Sequence, residues 1–319
     1  MTGGRIDTHH HIVPPVWAAA LHAHSYFGGQ PTPAWSPQMA LDVMDDLEIQ
    51  TAITSIGRPG VALGNDQDNA RLATAVNEYS AELARDHPGR FGFFASLPLP
   101  DVDASLLEIE HAMDDLGADG VILLTNVKGT YVGTPDWEPV MAELARRDAV
   151  VFIHPTAPYG LPLVPDVPPF AADFLLDTTR AALNLVRDGA VHRYPSLRII
   201  LSHAGGFMPY AAERIASLTD GANDLELSRA DFLNALRGFW FDTALSAGHS
   251  TLAGLLAFAR PDRILFGSDW PYARGDNHAY FTAQLDSYPM DDVTRRGINQ
   301  DNAAALFPGR VDTSPTPTA

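Results

Sequence analysis

The sequence predicts a single α/β domain folded as a (β/α)8 TIM barrel with an extended loop after strand 1. Three observations support this prediction. Seven short apolar segments alternate with helical patterns, and with the first predicted strand they give eight strand–helix units, the number that closes a barrel. The segments are mostly continuous apolar runs, as expected for parallel strands that are buried on both faces. Polar side chains that can carry chemistry follow several of these segments directly.

The first predicted strand ends in the run Arg5-Ile6-Asp7-Thr8-His9-His10-His11. Side chains two positions apart in a strand point the same way, so His9 and His11 share one face. Two imidazoles on one face, at the C-terminal end of a strand, suit a divalent metal that takes nitrogen ligands. The stretch 12–35 that follows is rich in proline and glycine. We expect it to be an extended loop that covers the substrate.

The later elements are predicted from their apolar patterns. Ser36-Pro37 predicts the start of a helix that carries Met39, Leu41, Met44 and Leu47. The further strands are predicted at 51–56, 90–96, 120–124, 149–153, 197–201, 238–241 and 263–266, and the helices between them at 66–86, 104–116, 137–147, 174–193, 208–218, 228–236 and 251–260. A doubly wound open sheet could also hold eight strands, but no glycine-rich phosphate loop follows any of them, which favours the barrel. We expect the barrel to span residues 1–308 and residues 309–319, rich in proline and threonine, to form a disordered tail.

The composition restricts the classes of function. The 319 residues are 46% hydrophobic and 19% charged, which is ample for a globular core, and the formal net charge is −18. This charge argues against binding to nucleic acid or to an anionic membrane surface. Because cysteine is absent, metal ligands must come from histidine, aspartate or glutamate. The sequence shows no signal peptide and no apolar run that could span a bilayer, so we expect a cytoplasmic protein.

Reactive side chains follow three further predicted strands. His154 ends the fifth strand, His203 follows the sixth, and Asp269 follows the eighth. In a barrel the C-terminal ends of all strands meet at one mouth, where active sites lie. A single histidine after an apolar strand is more often structural. The convergence of these residues with His9 and His11 instead predicts a metal-dependent active site.

This set of residues resembles that of the amidohydrolase superfamily, in particular its amidohydrolase-2 branch. That branch includes the aminocarboxymuconate-semialdehyde, γ-resorcylate and 6-methylsalicylate decarboxylases. The resemblance covers nearly the whole chain and extends to the motifs at 86–91, 201–206 and 241–244. These motifs are very specific for the superfamily and only moderately specific for the decarboxylases, because the branch also contains hydrolases and hydratases.

Taken position by position, the resemblance implies that His9, His11, His154 and Asp269 hold one divalent metal ion. It also implies that His203 lies beside the metal and contacts its water or the substrate. Members with two metals bridge them through a carboxylated lysine at the end of strand four, where this chain has Leu-Leu-Thr-Asn at 123–126. We therefore expect one metal. Imidazole ligands favour zinc, and manganese is also compatible. A homodimer is expected from the resemblance alone.

Two arginines are candidates for binding a substrate carboxylate. Arg58 follows the second strand, where it could bind a carboxylate through two parallel hydrogen bonds or could be a loop charge. Arg180, early in the predicted helix 174–193, could bind substrate or pair with Asp177. Asp7 is expected to orient a metal ligand or to close the bottom of the barrel.

We predict a metal-dependent, non-oxidative decarboxylase of a small hydroxyaromatic or unsaturated carboxylic acid. The metal would chelate the carboxylate and an adjacent hydroxyl, Asp269 would protonate the ring carbon, and His203 would steady the developing charge. One alternative is metal-dependent hydrolysis of an amide or lactone by the same five residues, which motifs alone do not separate from decarboxylation. A second alternative is a metal-binding barrel without catalysis.

Overall fold

The computed structural model describes residues 4–26, 32–161, 163–219 and 227–310. Most of the predicted disordered tail, residues 311–319, lies outside the described residues. The first two residues of that tail, Gly309 and Arg310, lie in a turn at the end of the barrel. Arg310 Nε donates a hydrogen bond to Asp119 Oδ1 at 2.7 Å, which ties this turn to the start of the fourth barrel strand.

Within the described residues, eight parallel strands are hydrogen-bonded to one another in chain order. They are β1 Arg5–His11, β2 Ile49–Ser55, β3 Phe91–Ser96, β4 Gly120–Leu124, β5 Val150–His154, β6 Arg198–Leu201, β7 Trp240–Asp242 and β8 Ile264–Leu265. The segment after β8 runs beside β1, where Thr8 N donates to Phe266 O at 3.0 Å and His11 N donates to Trp270 O at 2.7 Å. These bonds close the sheet, and the predicted (β/α)8 barrel is confirmed.

Helices lie between the strands and after the last of them; those predicted from the sequence lie close to their expected bounds, and those at 277–306 were not predicted. They are α1 Pro15–Ala23, α2 Pro37–Asp46, α3 Asp66–Asp86, α4 Val102–Glu110, α5 Glu138–Arg146, α6 Asp173–Arg187, α7 Ala190–Arg193, α8 Met208–Thr219, α9 Arg229–Arg237, α10 His249–Phe258, α11 Asn277–Ser287, α12 Asp292–Arg296 and α13 Asn302–Leu306. Ser36 caps α2 as predicted, because its side chain accepts a hydrogen bond from Met39 N. None of the described helices has the length and apolar character needed to cross a membrane.

Two local predictions were wrong. The stretch 12–35 contains the helix α1, whose first residue is Pro15. Proline is compatible with the first turn of a helix, because the N–H that it lacks would have no partner inside the helix. The single helix predicted at 174–193 is divided into α6 and α7 at Gly189, whose φ of 74° is left-handed and ends the first helix.

The alternation of side chains along each strand separates the barrel interior from the layer under the helices. In β5, Val150 and Phe152 belong to the interior cluster, whereas Val151 and Ile153 belong to the cluster between strands and helices. The other strands supply one interior residue each: Ile6, Ile53, Phe94, Ile122, Ile200, Trp240 and Leu265. Residues of α13 and Phe307, which follows it, join this cluster. Phe307 lies 5.9 Å from the Phe94 ring, so the chain's last described helix plugs the bottom of the barrel.

Candidate metal centre

Three histidines and an aspartate converge at the mouth of the barrel. His9, His11, His154 and Asp269 are all buried and each offers a ligand atom within 4.8 Å of the others. The Nε2 atoms of His9 and His11 lie 3.1 Å apart, and each lies 3.2 Å from Asp269 Oδ1. The alternation in β5 that places Val150 and Phe152 inside the barrel also turns His154 inward. All four residues predicted as metal ligands are thus brought together.

The donor set fits a divalent cation, because each histidine already uses its other ring nitrogen. Nδ1 of His9 lies 2.8 Å from Asp242 Oδ2. Nδ1 of His11 lies 3.2 Å from Ser55 O, and Nδ1 of His154 lies 2.9 Å from Pro155 O. Carboxylate and carbonyl oxygens accept hydrogen bonds, so Nδ1 of each ring carries the proton. Nε2 of each neutral ring therefore carries the lone pair. Three such nitrogens and one carboxylate oxygen form a ligand set suitable for zinc or a similar metal.

Asp242, at the end of β7, organises two of the histidines, and its role was missed in the sequence. Besides orienting His9, it accepts hydrogen bonds through Oδ1 from His203 N at 2.9 Å and from Ala244 N at 3.0 Å. Its side chain is completely buried. The signal was present in the motif at 241–244, but the seventh strand was predicted to end one residue too early, at Phe241.

The electrostatics of the four residues indicate a site built for a cation. Burial would lower the pKa of His9, but the carboxylates of Asp242 and Asp269 outweigh it and raise that pKa to about 10. Burial and the neighbouring His11 and His9 hold the pKa of His154 well below its usual value. Burial opposes ionisation of Asp269, but the neighbouring His11 and His9 rings outweigh it and hold the pKa of its carboxyl well below its usual value. In the absence of a metal, a proton on His9 therefore balances the carboxylates, and a bound cation would displace it.

His203 lies at the edge of this group. Its Nδ1 lies 2.9 Å from Ala244 O, so Nε2 is the nitrogen left for a ligand or substrate. Its ring centroid is 4.9 Å from that of His9 and 6.3 Å from that of His154. His203 adopts a left-handed backbone with φ of 54°, which is sparsely populated for residues other than glycine. This turn directs the chain sharply away after β6.

The backbone around Asp269 is held by Asp7. Asp269 has a left-handed φ of 59°, and its N donates to His9 O at 2.8 Å. The buried carboxylate of Asp7 accepts hydrogen bonds from Ser268 N at 3.1 Å, from Ser268 Oγ at 2.6 Å and from His9 N at 3.0 Å. Asp7 thus fixes the backbone next to two of the four candidate ligands at the junction where the barrel closes.

A cavity of about 750 Å³ opens above the four residues. Its walls include His154, His203, Asp269, Arg58, Phe174 and Tyr272. The guanidinium of Arg58 lies 5.0 Å from the centre of the Phe174 ring and 3.4 Å from the Tyr26 hydroxyl. Arg180 is not among the described residues that line this cavity; it interacts with the Tyr131 hydroxyl instead. The structure thus brings Arg58, but not Arg180, to the cavity wall.

A (β/α)8 barrel that carries three imidazoles and a carboxylate at its mouth defines a metal-dependent barrel enzyme. The chain belongs to the amidohydrolase family, whose model matches residues 6–309. The 6-methylsalicylic acid decarboxylase of Penicillium expansum is 40% identical over 314 residues, which cover 95% of this chain and 96% of that protein.

Two solved structures extend the comparison. An amidohydrolase II is similar with a TM-score of 0.89 and 32% identity, over 95% of this chain and 99% of that one. A 2,6-dihydroxybenzoate decarboxylase complexed with 2,6-dihydroxybenzoate has a TM-score of 0.75 and 25% identity, over 96% of this chain and 99% of that one. The similarity therefore spans the whole barrel in both.

Proposed function

We propose that this protein catalyses the metal-dependent, non-oxidative decarboxylation of a small hydroxybenzoic acid, of which 6-methylsalicylate is the first candidate. The observation that carries the proposal is the convergence of His9, His11, His154 and Asp269 within 4.8 Å at the floor of a cavity whose wall holds a guanidinium. The names of the relatives favour decarboxylation over hydrolysis, which the same residues could also support.

In this proposal His9, His11, His154 and Asp269 hold one divalent metal, with zinc preferred and manganese as the alternative. When bound, such a metal supplies Lewis-acid attraction for the substrate carboxylate and the neighbouring hydroxyl oxygen. Asp242 keeps His9 in the required orientation. The mouth of the barrel therefore offers positive charge to an anion, although the chain as a whole carries a net charge of −18.

The protein side chains then carry the proton. Because a carboxylate that holds a metal is deprotonated, we infer that Asp269 is ionised at rest and accepts the proton of the substrate hydroxyl. It passes this proton to the ring carbon that bears the carboxylate. His203 steadies the charge that develops on the substrate oxygen. The carbon–carbon bond to the carboxylate then breaks, CO2 leaves, and the electron pair of that bond restores the aromatic ring as a phenolate, which takes up a proton from solvent.

Arg58 is proposed to bind the substrate carboxylate on the cavity wall. Its guanidinium carbon lies 5.0 Å from the centre of the Phe174 ring, within the range of cation–π attraction. A planar fork of donors matches a carboxylate through two parallel hydrogen bonds. The apolar surfaces of Phe174 and Tyr272 suit a benzene ring between this arginine and the metal ligands.

The experiment that tests the proposal is a CO2-release assay on the purified, metal-loaded protein with 6-methylsalicylate and 2,6-dihydroxybenzoate. We expect one CO2 and one phenol for each acid consumed. Hydrolysis of a lactone or amide panel without CO2 release from either acid would instead assign the site to hydrolysis. A homodimer and a cytoplasmic location remain part of the proposal, and sedimentation of the purified protein measures the first of them.

A further inference from the structure

The proposed chemistry uses a second wall of the cavity but does not explain what fixes the position of that wall. This wall is the N-terminal part of α6, which contributes Phe174 and Leu175 to the cavity. The helix begins after Ala172, which offers no side-chain cap. Helix ends without such a cap leave backbone N–H groups without a partner in the helix. Other contacts must therefore fix where this end of α6 lies.

Three of those contacts meet at Asp177, one turn into the helix from Phe174. Asp177 is completely buried. Its carboxylate accepts hydrogen bonds from Thr125 Oγ1, from Asn126 Nδ2 and from the Tyr131 hydroxyl. All three donors belong to the segment that follows β4. Burial and the Asp177 carboxylate raise the pKa of Tyr131 to about 12, so that hydroxyl keeps its proton and remains a donor at neutral pH.

The same segment is joined to the end of β5, where His154 lies. Thr125 N donates to His154 O at 2.9 Å. Thr125 Oγ1, besides donating to Asp177, accepts from Thr156 N at 3.1 Å. A continuous path of hydrogen bonds thus runs from the backbone of a candidate metal ligand, through one threonine, to a buried carboxylate on the helix that contributes Phe174 and Leu175 to the cavity.

The opposite side of α6 contacts the turn that carries His203. Phe207 N donates to Thr179 Oγ1 at 2.9 Å. Gly206 packs so closely against α6 that a Cβ added to it would lie 2.1 Å from Leu175 O. Its φ of 68° also favours glycine. Because α6 lies between the segment after β4 and the turn after β6, a small displacement of the helix would alter the width of the cavity.

We propose that Asp177 is a positioning residue that sets the distance between the α6 wall and the metal site, and so determines which acid fits the cavity. It acts through Phe174, against which the Arg58 guanidinium lies. This inference rests on the proposed function for the identity of the ligand. Arg180 belongs to the same hydrogen-bond network, because it interacts with the Tyr131 hydroxyl, which donates to Asp177.

The test compares Asp177→Asn with Asp119→Asn. The amide keeps the volume of Asp177 but presents a donor where the Tyr131 hydroxyl needs an acceptor. Asp119 is the matched control: it is a buried carboxylate that accepts from Phe93 N at 2.8 Å and from Arg310, at the opposite end of the barrel. Both substitutions should lower the melting temperature. Only Asp177→Asn should raise KM, by roughly tenfold, since a shift in the position of a bound substrate is costly even when it arises away from the chemistry.

Three further variants keep the test decisive if Asp177→Asn folds poorly. Tyr131→Phe removes one donor and should raise KM in the same direction by a smaller factor. Thr125→Val should behave like Asp177→Asn, whereas Thr125→Ser, which keeps the hydroxyl, should restore wild-type KM. Metal content should stay at the wild-type value in all of them.

Binding of 2-methylbenzoate, which has the carboxylate but lacks the hydroxyl, separates this inference from the proposed function. The dissociation constant of this acid should rise in parallel with KM in the Asp177→Asn protein, whether or not any acid is decarboxylated. Equal dissociation constants for wild type, Asp177→Asn and the Asp119→Asn control would overturn the inference and leave Asp177 a structural residue. Loss of metal from Asp177→Asn would also overturn it, because the effect would then pass through His154 rather than through the wall.

Discussion

The two ends of the barrel are built from the same strands but are used differently. At the bottom, Phe94, Phe152 and Phe307 form an apolar cluster, with the Phe94 and Phe152 rings stacked at 5.3 Å. Two positions beyond Phe152 along the same face of β5, His154 joins the candidate metal centre. The Phe152 ring also contacts the His9 ring at 4.9 Å, so the apolar floor directly supports the ligands. One face of one strand thus contributes stability at one end and chemistry at the other.

This contrast follows from burial. A carboxylate or imidazole buried without partners is costly, whereas here the carboxylates and imidazoles of the metal centre each have a defined partner. At the bottom, side chains need only fill space, so aromatic and aliphatic residues suffice. Substitutions at the mouth should therefore alter metal binding and kinetics, and substitutions at the bottom should alter the free energy of unfolding alone. The following variants test this division, from the largest expected effect on activity to the smallest.

His154→Ala should abolish both metal binding and activity. It removes one of the three imidazole nitrogens from the ligand set, while Phe152 below it still holds β5 in place. Elemental analysis of the purified variant measures the metal, and circular dichroism provides the control for folding. A variant that retains one equivalent of metal would show that His154 is not a ligand.

His203→Ala should keep the metal but reduce kcat by about 10²-fold or more, as expected for loss of a group that stabilises developing charge. The bond from His203 N to Asp242 involves the backbone, so it survives the substitution and His9 stays oriented. Steady-state kinetics and metal analysis on the same sample check both parts. Metal loss in this variant would make His203 a ligand.

Arg58→Lys should lower kcat/KM for a carboxylate substrate by an amount equivalent to about 1.5–3 kcal/mol, because lysine keeps the charge but loses the planar pair of donors. The phenol product lacks the carboxylate, so its inhibition constant should hardly change and serves as the control. If wild type, Arg58→Lys and Arg58→Ala have equal kinetics on the best acid, Arg58 is a loop charge and another cation binds the carboxylate.

Phe307→Ala should leave kcat, KM and metal content unchanged while it lowers the free energy of unfolding by about 3–5 kcal/mol. The side chain is 3% exposed and fills the bottom of the barrel, far along the strands from the mouth. Urea unfolding measures the loss, and kinetics below the unfolding transition measure the activity. A changed KM in the folded variant would show that the two ends of the barrel are coupled.

The sequence was most informative where a residue's position along a strand decides its direction. His9 and His11 could be placed because they lie two apart in a strand, although the pairing register of β1 shifts between Asp7 and His10. His154 could be placed because alternation in β5 is regular, and Asp269 because the eighth strand ends just before it. The barrel itself could be predicted because its strands are continuous apolar runs. These features depend on local periodicity, which a sequence displays directly.

The sequence was less informative where tertiary contacts decide. Asp242 belongs to the motif at 241–244, but its bonds to His9, in β1, and to His203, after β6, depend on tertiary packing. Arg180 could not be separated from Arg58, because both follow strands or begin helices near the mouth, and only the packing of α6 turns Arg180 towards Tyr131. The break at Gly189 was missed because the apolar pattern of helix 174–193 continues across it.

The central claim is that one metal at the mouth of this barrel is required for decarboxylation. The most direct test is to strip the protein with a chelator and titrate zinc or manganese back while CO2 release from 6-methylsalicylate is followed. The account predicts no release from the stripped protein, a linear rise as metal is added, and saturation at one equivalent per chain. Full activity in the metal-free protein, or saturation only at two equivalents, would contradict it.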